Sequence, residues 1–309
     1  MRAKVSLRRC RSLSREDDQL GWTTVNDPDP TALPREPGGA GPALGARTLS
    51  IQRTRVAEVA RVSRSMARIT VESESLAAFA TEVACDASVR LVFTPNDVRP
   101  ESFDSIRTMQ RESVPFRARD YTIRTWDHAA RRMGLDVHLH EAGGFASAWA
   151  AQVQVGDEIC LQGVSGRHDP DPAVADHLFV GDETALPAIA RCLESLPPTA
   201  RGHALIEVDE PGDEQHLAHP PALSLTWVHR GERPVGELLV EQVTALREVP
   251  RDAEAFVRGE AGMVASLRRH LRRERRLSPR RLSFGAYWRF GFDDESWRER
   301  HDPLAGHGA

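Results

Sequence analysis

The chain has 309 residues, enough for two domains that each bury a core of their own. A formal charge of −4 with abundant charges of both signs argues against a surface dedicated to nucleic acid, and no run approaches the roughly 18 apolar residues that a spanning helix needs. The arginine-rich N-terminus leads into no apolar stretch of the kind a secretion signal carries, so the expected location is the cytoplasm.

In chain order, residues 1–51 are rich in glycine, proline and charge and lack apolar periodicity. That stretch reads as a disordered extension, or as a start assigned too far upstream. Residues 52–170 carry short apolar runs, Ala67 to Val71, Val89 to Phe93, Leu135 to Leu139 and Glu158 to Leu161, punctuated by Gly, Pro and Asp. The pattern predicts a small antiparallel barrel. Within it, residues 94–115 form a polar connection without a period, expected to be a lid-like or disordered loop. The proline-bearing stretch from His168 to Pro172 marks a boundary, and residues 171–300 change character. Strands at Leu178 to Val180, His203 to Val208, Leu223 to Val228, Ala255 to Val257 and Arg281 to Ala286 alternate with helices at Ala185 to Leu196, Gly236 to Leu246 and Ala261 to Arg273. Such alternation predicts a doubly wound parallel sheet, with ligands at the carboxyl ends of its strands. Residues 301–309 read as a flexible tail.

Two segments carry the chemistry. Arg119-Asp120-Tyr121-Thr122-Ile123-Arg124 alternates as a strand does, placing Arg119, Tyr121 and Ile123 on one face and Asp120, Thr122 and Arg124 on the other. A flat ring, a hydroxyl and a guanidinium close together suit a flavin, which needs a surface to stack on, a hydrogen-bond partner and a grip on phosphate. About twenty residues on, the small residues Gly143, Gly144, Ala146 and Ser147 allow close backbone approach just before the apolar run from Ala148 onward, a helix start and hence an expected anion site.

Other features have plainer readings. The residues alone leave Tyr121 between ring stacking and a surface barrel position, and Trp149 between core and cofactor contact. His138 and His140 share a strand face, but no third ligand falls at a recognisable spacing, so no metal site is expected. The run from Arg268 to Arg276 lies opposite an apolar stripe of Val264, Leu267 and Leu271 and reads as a solvated helix face. The cysteines at 10, 85, 160 and 192 are too dispersed for an iron–sulfur ligand set, and are expected to be reduced and buried. No Gly-x-Gly-x-x-Gly fingerprint occurs.

The Arg-x-Tyr-Thr segment, the Gly-Gly-x-Ala-Ser-x-Trp-Ala loop, Gly156-Asp157, Gly181-Asp182-Glu183-Thr184, Gly259-Glu260-Ala261-Gly262 and Tyr287-Trp288-Arg289 occur in this order between about Thr54 and Arg300. Together they resemble the siderophore-interacting protein family, flavin-dependent ferric-siderophore reductases of the ferredoxin-reductase superfamily. The resemblance implies an N-terminal antiparallel Greek-key FAD-binding β-barrel followed by a Rossmann-like parallel-sheet domain that binds NAD(P)H. It implies that Tyr121 stacks on the flavin, that Thr122 meets its reactive edge and that Arg119 neutralises its pyrophosphate. His140, Gly144, Ala146, Ser147 and Trp149 border the same cofactor, while Asp182, Glu183, Thr184, Gly259 and Glu260 form the nicotinamide face. Arg90 and Arg289 would meet an anionic ferric siderophore. Ser165 and Ser283 stand where the family often carries basic residues, with Arg167 available to compensate, and Phe145 replaces a frequent proline without expected cost to cofactor binding. The implied reaction passes hydride from NAD(P)H to FAD and one electron at a time to ferric iron, in a cytoplasmic monomer. Two other readings remain: a general flavin reductase serving a protein partner, and a siderophore-binding protein without flavin.

Overall fold

The computed structural model describes residues 50–95, 97–140 and 144–292. The expected extension, apart from residues 50 and 51, the tail at 301–309, Cys10 and Gly143 lie outside the described residues.

Six strands close a barrel: β1 (Ile51–Arg61), β2 (Met66–Glu72), β3 (Ser88–Phe93), β4 (Arg117–Asp127), β5 (Arg132–His138) and β6 (Glu158–Ser165), in the spatial order β1-β2-β5-β4-β3-β6. Every pair is antiparallel, and the jump from β2 to β5 makes the connection a Greek key. Alternation explains the core. Ile69 and Val71 on β2, Val89 and Leu91 on β3, and Met133 and Leu135 on β5 point inward and are at most 1% exposed. Asp136 is the exception on β5. It is buried and accepts from Nε and Nη2 of its cross-strand partner Arg68, at 2.6 and 2.8 Å.

The alternation of β4 is interrupted just past the segment from Arg119 to Ile123. A bulge between Ile123 and Thr125 leaves Arg124 without a partner in the β4–β5 ladder and shifts the register from Thr125 onward; Tyr121 and Ile123 keep the core side, Thr122 is buried facing the sheet, and Arg124 forms a bidentate pair with Glu194. Residues 94–115 also differ from the loop expected there. Within them lie a 3₁₀ turn at Pro100–Ser102 and a short helix, α1 (Ile106–Arg111), whose Ser105 cap accepts the Thr108 N–H at 3.2 Å. Ile106 and Met109 bury against Val92, Ala118 and Cys160, a satellite core outside the barrel proper. Burial there pushes the Cys160 thiol up to about 12, so it is inert.

After α2 (Phe145–Ala150) and β6 comes a five-stranded sheet of β7 (Asp176–Gly181), β8 (Arg201–Val208), β9 (Ala222–His229), β10 (Glu254–Glu260) and β11 (Leu282–Trp288), with α3 (Leu186–Ser195), α4 (Glu237–Ala245) and α5 (Ala261–Arg269) between strands. The order is β11-β10-β7-β8-β9 and every pair is parallel. The strand order reverses between β7 and β10, the switch point where such sheets hold ligands. Val264, Leu267 and Leu271 bury the apolar stripe of the last helix, which ends in a single π turn at His270–Glu274 and leaves Arg269, Arg272 and Arg273 in solvent.

Side-chain ties bind the sheet to the barrel. Arg191 on α3 donates to the carbonyls of Ile123 and Val83 at 3.0 and 2.8 Å, Arg258 on β10 pairs with Asp86 at 3.3 Å, and Arg64 pairs with Asp213 at 2.7 Å.

Candidate active site

The carboxyl ends of the sheet strands face the end of the barrel across a cavity of ≈520 Å3. The barrel contributes Ser88, Arg90, Arg119, Asp120, Tyr121, Thr122 and His138, and the sheet contributes Glu183, Thr184, Pro187, Tyr287 and Trp288. Six of the residues read from the sequence therefore meet there: Arg90, Arg119, Tyr121, Thr122, Glu183 and Thr184. Tyr121 is half-buried, packing partly on the barrel core while lining the cavity, and Thr122 is buried beside it.

Each charge on the wall has a partner. Arg90 is held by Asp120, directly opposite across β3 and β4, through two bonds of 2.8 and 3.0 Å. Asp136 is held by Arg68, Asp86 by Arg258, and Glu183 lies 3.4 Å from Arg230. Arg119 donates to the Ala118 carbonyl at 2.8 Å, and its guanidinium sits 4.2 Å from the centre of the Phe145 ring. Phe145 is thus more than a tolerated replacement, because it braces the arginine expected to meet phosphate. Burial, aided by His140 nearby, brings the His138 imidazole down to about 4 and keeps it neutral at neutral pH; burial and the neighbouring Asp182 push Glu183 up to about 7.

His140, Gly144, Ala146, Ser147 and Trp149 stand apart from that wall. The Ser147 hydroxyl accepts the His140 N–H at 3.0 Å, and the His140 ring lies over Gly144 so closely that a Cβ there would be 3.0 Å from it. Helix α2 has only six residues, with Ala146 and Ser147 buried in its first turn. Trp149 packs edge-on against Phe93, ring centres 5.4 Å apart, and lines a neighbouring hollow with Arg53 and Arg99. Phe145 links the two regions, touching Phe93 on one side and Arg119 on the other.

The expected nicotinamide turn divides. Asp182 is almost fully buried and accepts four hydrogen bonds, from the Thr184 N–H (2.9 Å) and hydroxyl (2.5 Å), the Glu260 N–H (2.8 Å) and the Trp288 indole (2.9 Å). Burial pushes its carboxyl up, and the bonds from Thr184 and Trp288 pull it back. Gly259, at φ +128°, must be glycine, since a Cβ would lie 2.5 Å from the Asp182 carboxylate. Glu260 caps α5 by accepting the Met263 N–H at 2.8 Å. Asp182, Gly259 and Glu260 therefore hold the turns and the end of β11 in place and do not line the cavity. Arg289 is exposed, stacked 4.8 Å from the Phe292 ring centre, also off the wall. Neither Arg167 nor Ser283 lines it either; Ser283 accepts from Arg258 at 2.9 Å, while Ser165 does line it, bonded to Ser88 at 2.7 Å. Tyr287 and Trp288 are the wall residues that the sequence marked only as an ending.

A Greek-key barrel joined to a parallel sheet, with a shared cavity at the switch point, is the plan of a two-domain flavoprotein oxidoreductase. Comparison with known proteins agrees. The profile of the siderophore-interacting FAD-binding domain matches residues 55–168, and that of the siderophore-interacting protein matches residues 174–291. Ferric vibriobactin reductase ViuB of Vibrio cholerae is 31% identical over 256 residues, which cover 78% of this chain and 90% of that protein. The NADPH-dependent ferric-chelate reductase of Escherichia coli is 29% identical over 261 residues, covering 82% and 97%. The crystal structure of a siderophore utilization protein from T. fusca superposes with a TM-score of 0.68 at 28% identity, covering 80% of this chain and 95% of that one. The chain belongs to the siderophore-interacting protein family, and its barrel is an FAD-binding domain. The donor set fits the cofactor: an aromatic ring, a buried hydroxyl and a guanidinium within four residues of one strand, β4, all opening on one cavity.

Proposed function

We propose that the protein is an FAD-dependent reductase of ferric siderophores, drawing hydride from NAD(P)H and acting as a cytoplasmic monomer. The observation that carries this reading is the single cavity where Tyr121 and Thr122 of the barrel face Glu183, Thr184 and Trp288 of the sheet. Bound FAD would supply the conversion of a two-electron donor into one-electron steps. The chain's own residues position and screen: Tyr121 offers its ring, Thr122 its hydroxyl, and Arg119, steadied by Phe145, its charge to the pyrophosphate. Trp288, fixed by Asp182, closes the opposite wall. No side chain acts as nucleophile or acid; iron leaves because ferrous ion binds hard oxygen donors less tightly than ferric ion does. The test is anaerobic: purified protein loaded with FAD is titrated with NADPH or NADH, then mixed with a ferric trihydroxamate and a ferrous trap. Bleaching by a nicotinamide followed by trapped ferrous iron supports the proposal, and flavin that neither nicotinamide bleaches overturns it.

Arg119→Ala removes a charge-assisted contact of about 1.5–3 kcal/mol, so FAD should bind about 10–100-fold more weakly while riboflavin is little affected. Equal losses for both flavins, measured by fluorescence titration, would defeat the pyrophosphate role.

Because every wall cation is already engaged, the cavity suits a neutral or weakly charged chelate better than a trianionic tris-catecholate. Ser165→Arg should raise kcat/KM for the tris-catecholate about fivefold or more at low salt and leave a neutral trihydroxamate unchanged, with the gain fading as salt is added. A parallel change for both chelates would show that wall charge does not set the preference.

A further inference from the structure

Three carboxylates gather around one guanidinium beside the cavity. Arg230 lies 3.4 Å from Glu183 and 3.3 Å from Glu207 and also pairs with Asp209. Glu183 follows β7, Asp209 follows β8, and Glu207 sits inside β8, wholly buried, with one oxygen accepting the Gly236 N–H at 2.8 Å. One arginine cannot balance three acids, and the shortfall shows in unmet atoms. The second oxygen of Glu207 and the Nε2 of His138 are both buried without a hydrogen-bond partner among the described residues. His138 comes from the other domain, at the end of β5, and a ligand atom from each of His138, Glu183 and Asp209 lies within 4.8 Å of the other two. His138 and Glu183 also line the large cavity, while Asp209 is 38% exposed. The cluster thus runs from the reaction chamber to solvent.

We propose that His138, Glu183 and Asp209 form a divalent-metal site that accepts ferrous iron as the reduced chelate lets it go. This rests on the reductase reading. An imidazole with two carboxylates is a donor set for borderline first-row ions, and three ligands leave positions open for water or for a departing chelate oxygen. The handover is an exchange of ligands with no electron moved: chelate oxygens leave the ferrous ion and take protons from water as the imidazole and carboxylates replace them. Arg230 is the resident cation and shifts its pairing toward Glu207 as metal arrives. The sequence spacing gave no sign of such a site, since its ligands come from three elements of two domains.

The test uses the full chain loaded with FAD and Co(II) as an air-stable probe, followed by Fe(II) under anaerobic conditions. Wild-type protein should bind one equivalent of Co(II) saturably below about 100 μM and develop visible d–d bands, and Asp209→Asn and His138→Gln should each weaken binding about tenfold or more. Thermal melts and FAD affinity of the variants identify any that misfold; Asp209, being half-exposed, is the variant expected to fold normally. No saturable binding below about 1 mM, or equal binding by wild type and Asp209→Asn, overturns the site. Co(II) binding by a protein that fails to reduce ferric chelates would leave the site standing and remove the reductase reading, whereas reduction without metal binding would do the reverse.

Discussion

Asp182→Ala should lower the stability of the protein by about 3–5 kcal/mol, more than most substitutions reach, because one buried and several part-buried donors lose their acceptor at once. The Glu260 N–H, the Thr184 N–H and the Trp288 indole all converge on this carboxylate. Each buried donor left unmet costs about 1–3 kcal/mol, and partial relaxation of the loops keeps the total below the simple sum. The damage should also reach the cavity, because Trp288 loses the bond that fixes its ring on the wall. Urea unfolding monitored by circular dichroism gives the stability, and the emission of Trp288, isolated by difference against Trp288→Phe, reports its position. Thr184→Val provides a scale, losing only the hydroxyl bond for about 1 kcal/mol. A midpoint for Asp182→Ala within error of that milder variant would show the carboxylate to be dispensable.

The second large effect lies under the barrel side of the same cavity. Arg68→Ala strands Asp136, whose side chain is 1% exposed, as a buried carboxylate without its partner, and should cost about 3–5 kcal/mol. Removing both members with Arg68→Ala and Asp136→Ala should cost less than removing Arg68 alone, since no uncompensated charge remains. A single-variant loss under about 1 kcal/mol would place the pair with ordinary surface ion pairs and refute the argument.

Much of this architecture could be read in advance wherever chemistry was local. Leu178-Phe179-Val180 is apolar on both faces because both faces of a parallel strand are covered, and it appears within β7. The strand carrying Tyr121 and Thr122 was legible from its alternation, and both residues line the cavity. What escaped depends on distance along the chain. Asp182 looked like an ordinary acid at a helix start, yet two of its partners, Glu260 and Trp288, stand 78 and 106 residues away. The Arg90–Asp120 pair, which removes Arg90 as an uncommitted cation, exists only because β3 and β4 are in that register. The bulge that leaves Arg124 unpaired in the ladder and shifts Thr125 is one that no alternation rule foretells, and α1 escaped because its two apolar residues, Ile106 and Met109, are too few to establish a period.

The chamber's ≈520 Å3 has a kinetic implication. With the flavin held against Tyr121 and Thr122 taking part of that space, the remainder suits one further guest at a time, and the ties from Arg191, Arg124 and Arg258 keep its two sides from swinging apart. Under the proposed reading the nicotinamide must depart before the iron complex can enter. Double-reciprocal plots at several fixed concentrations of one substrate should therefore be parallel, and each substrate in excess should inhibit by occupying the other's place.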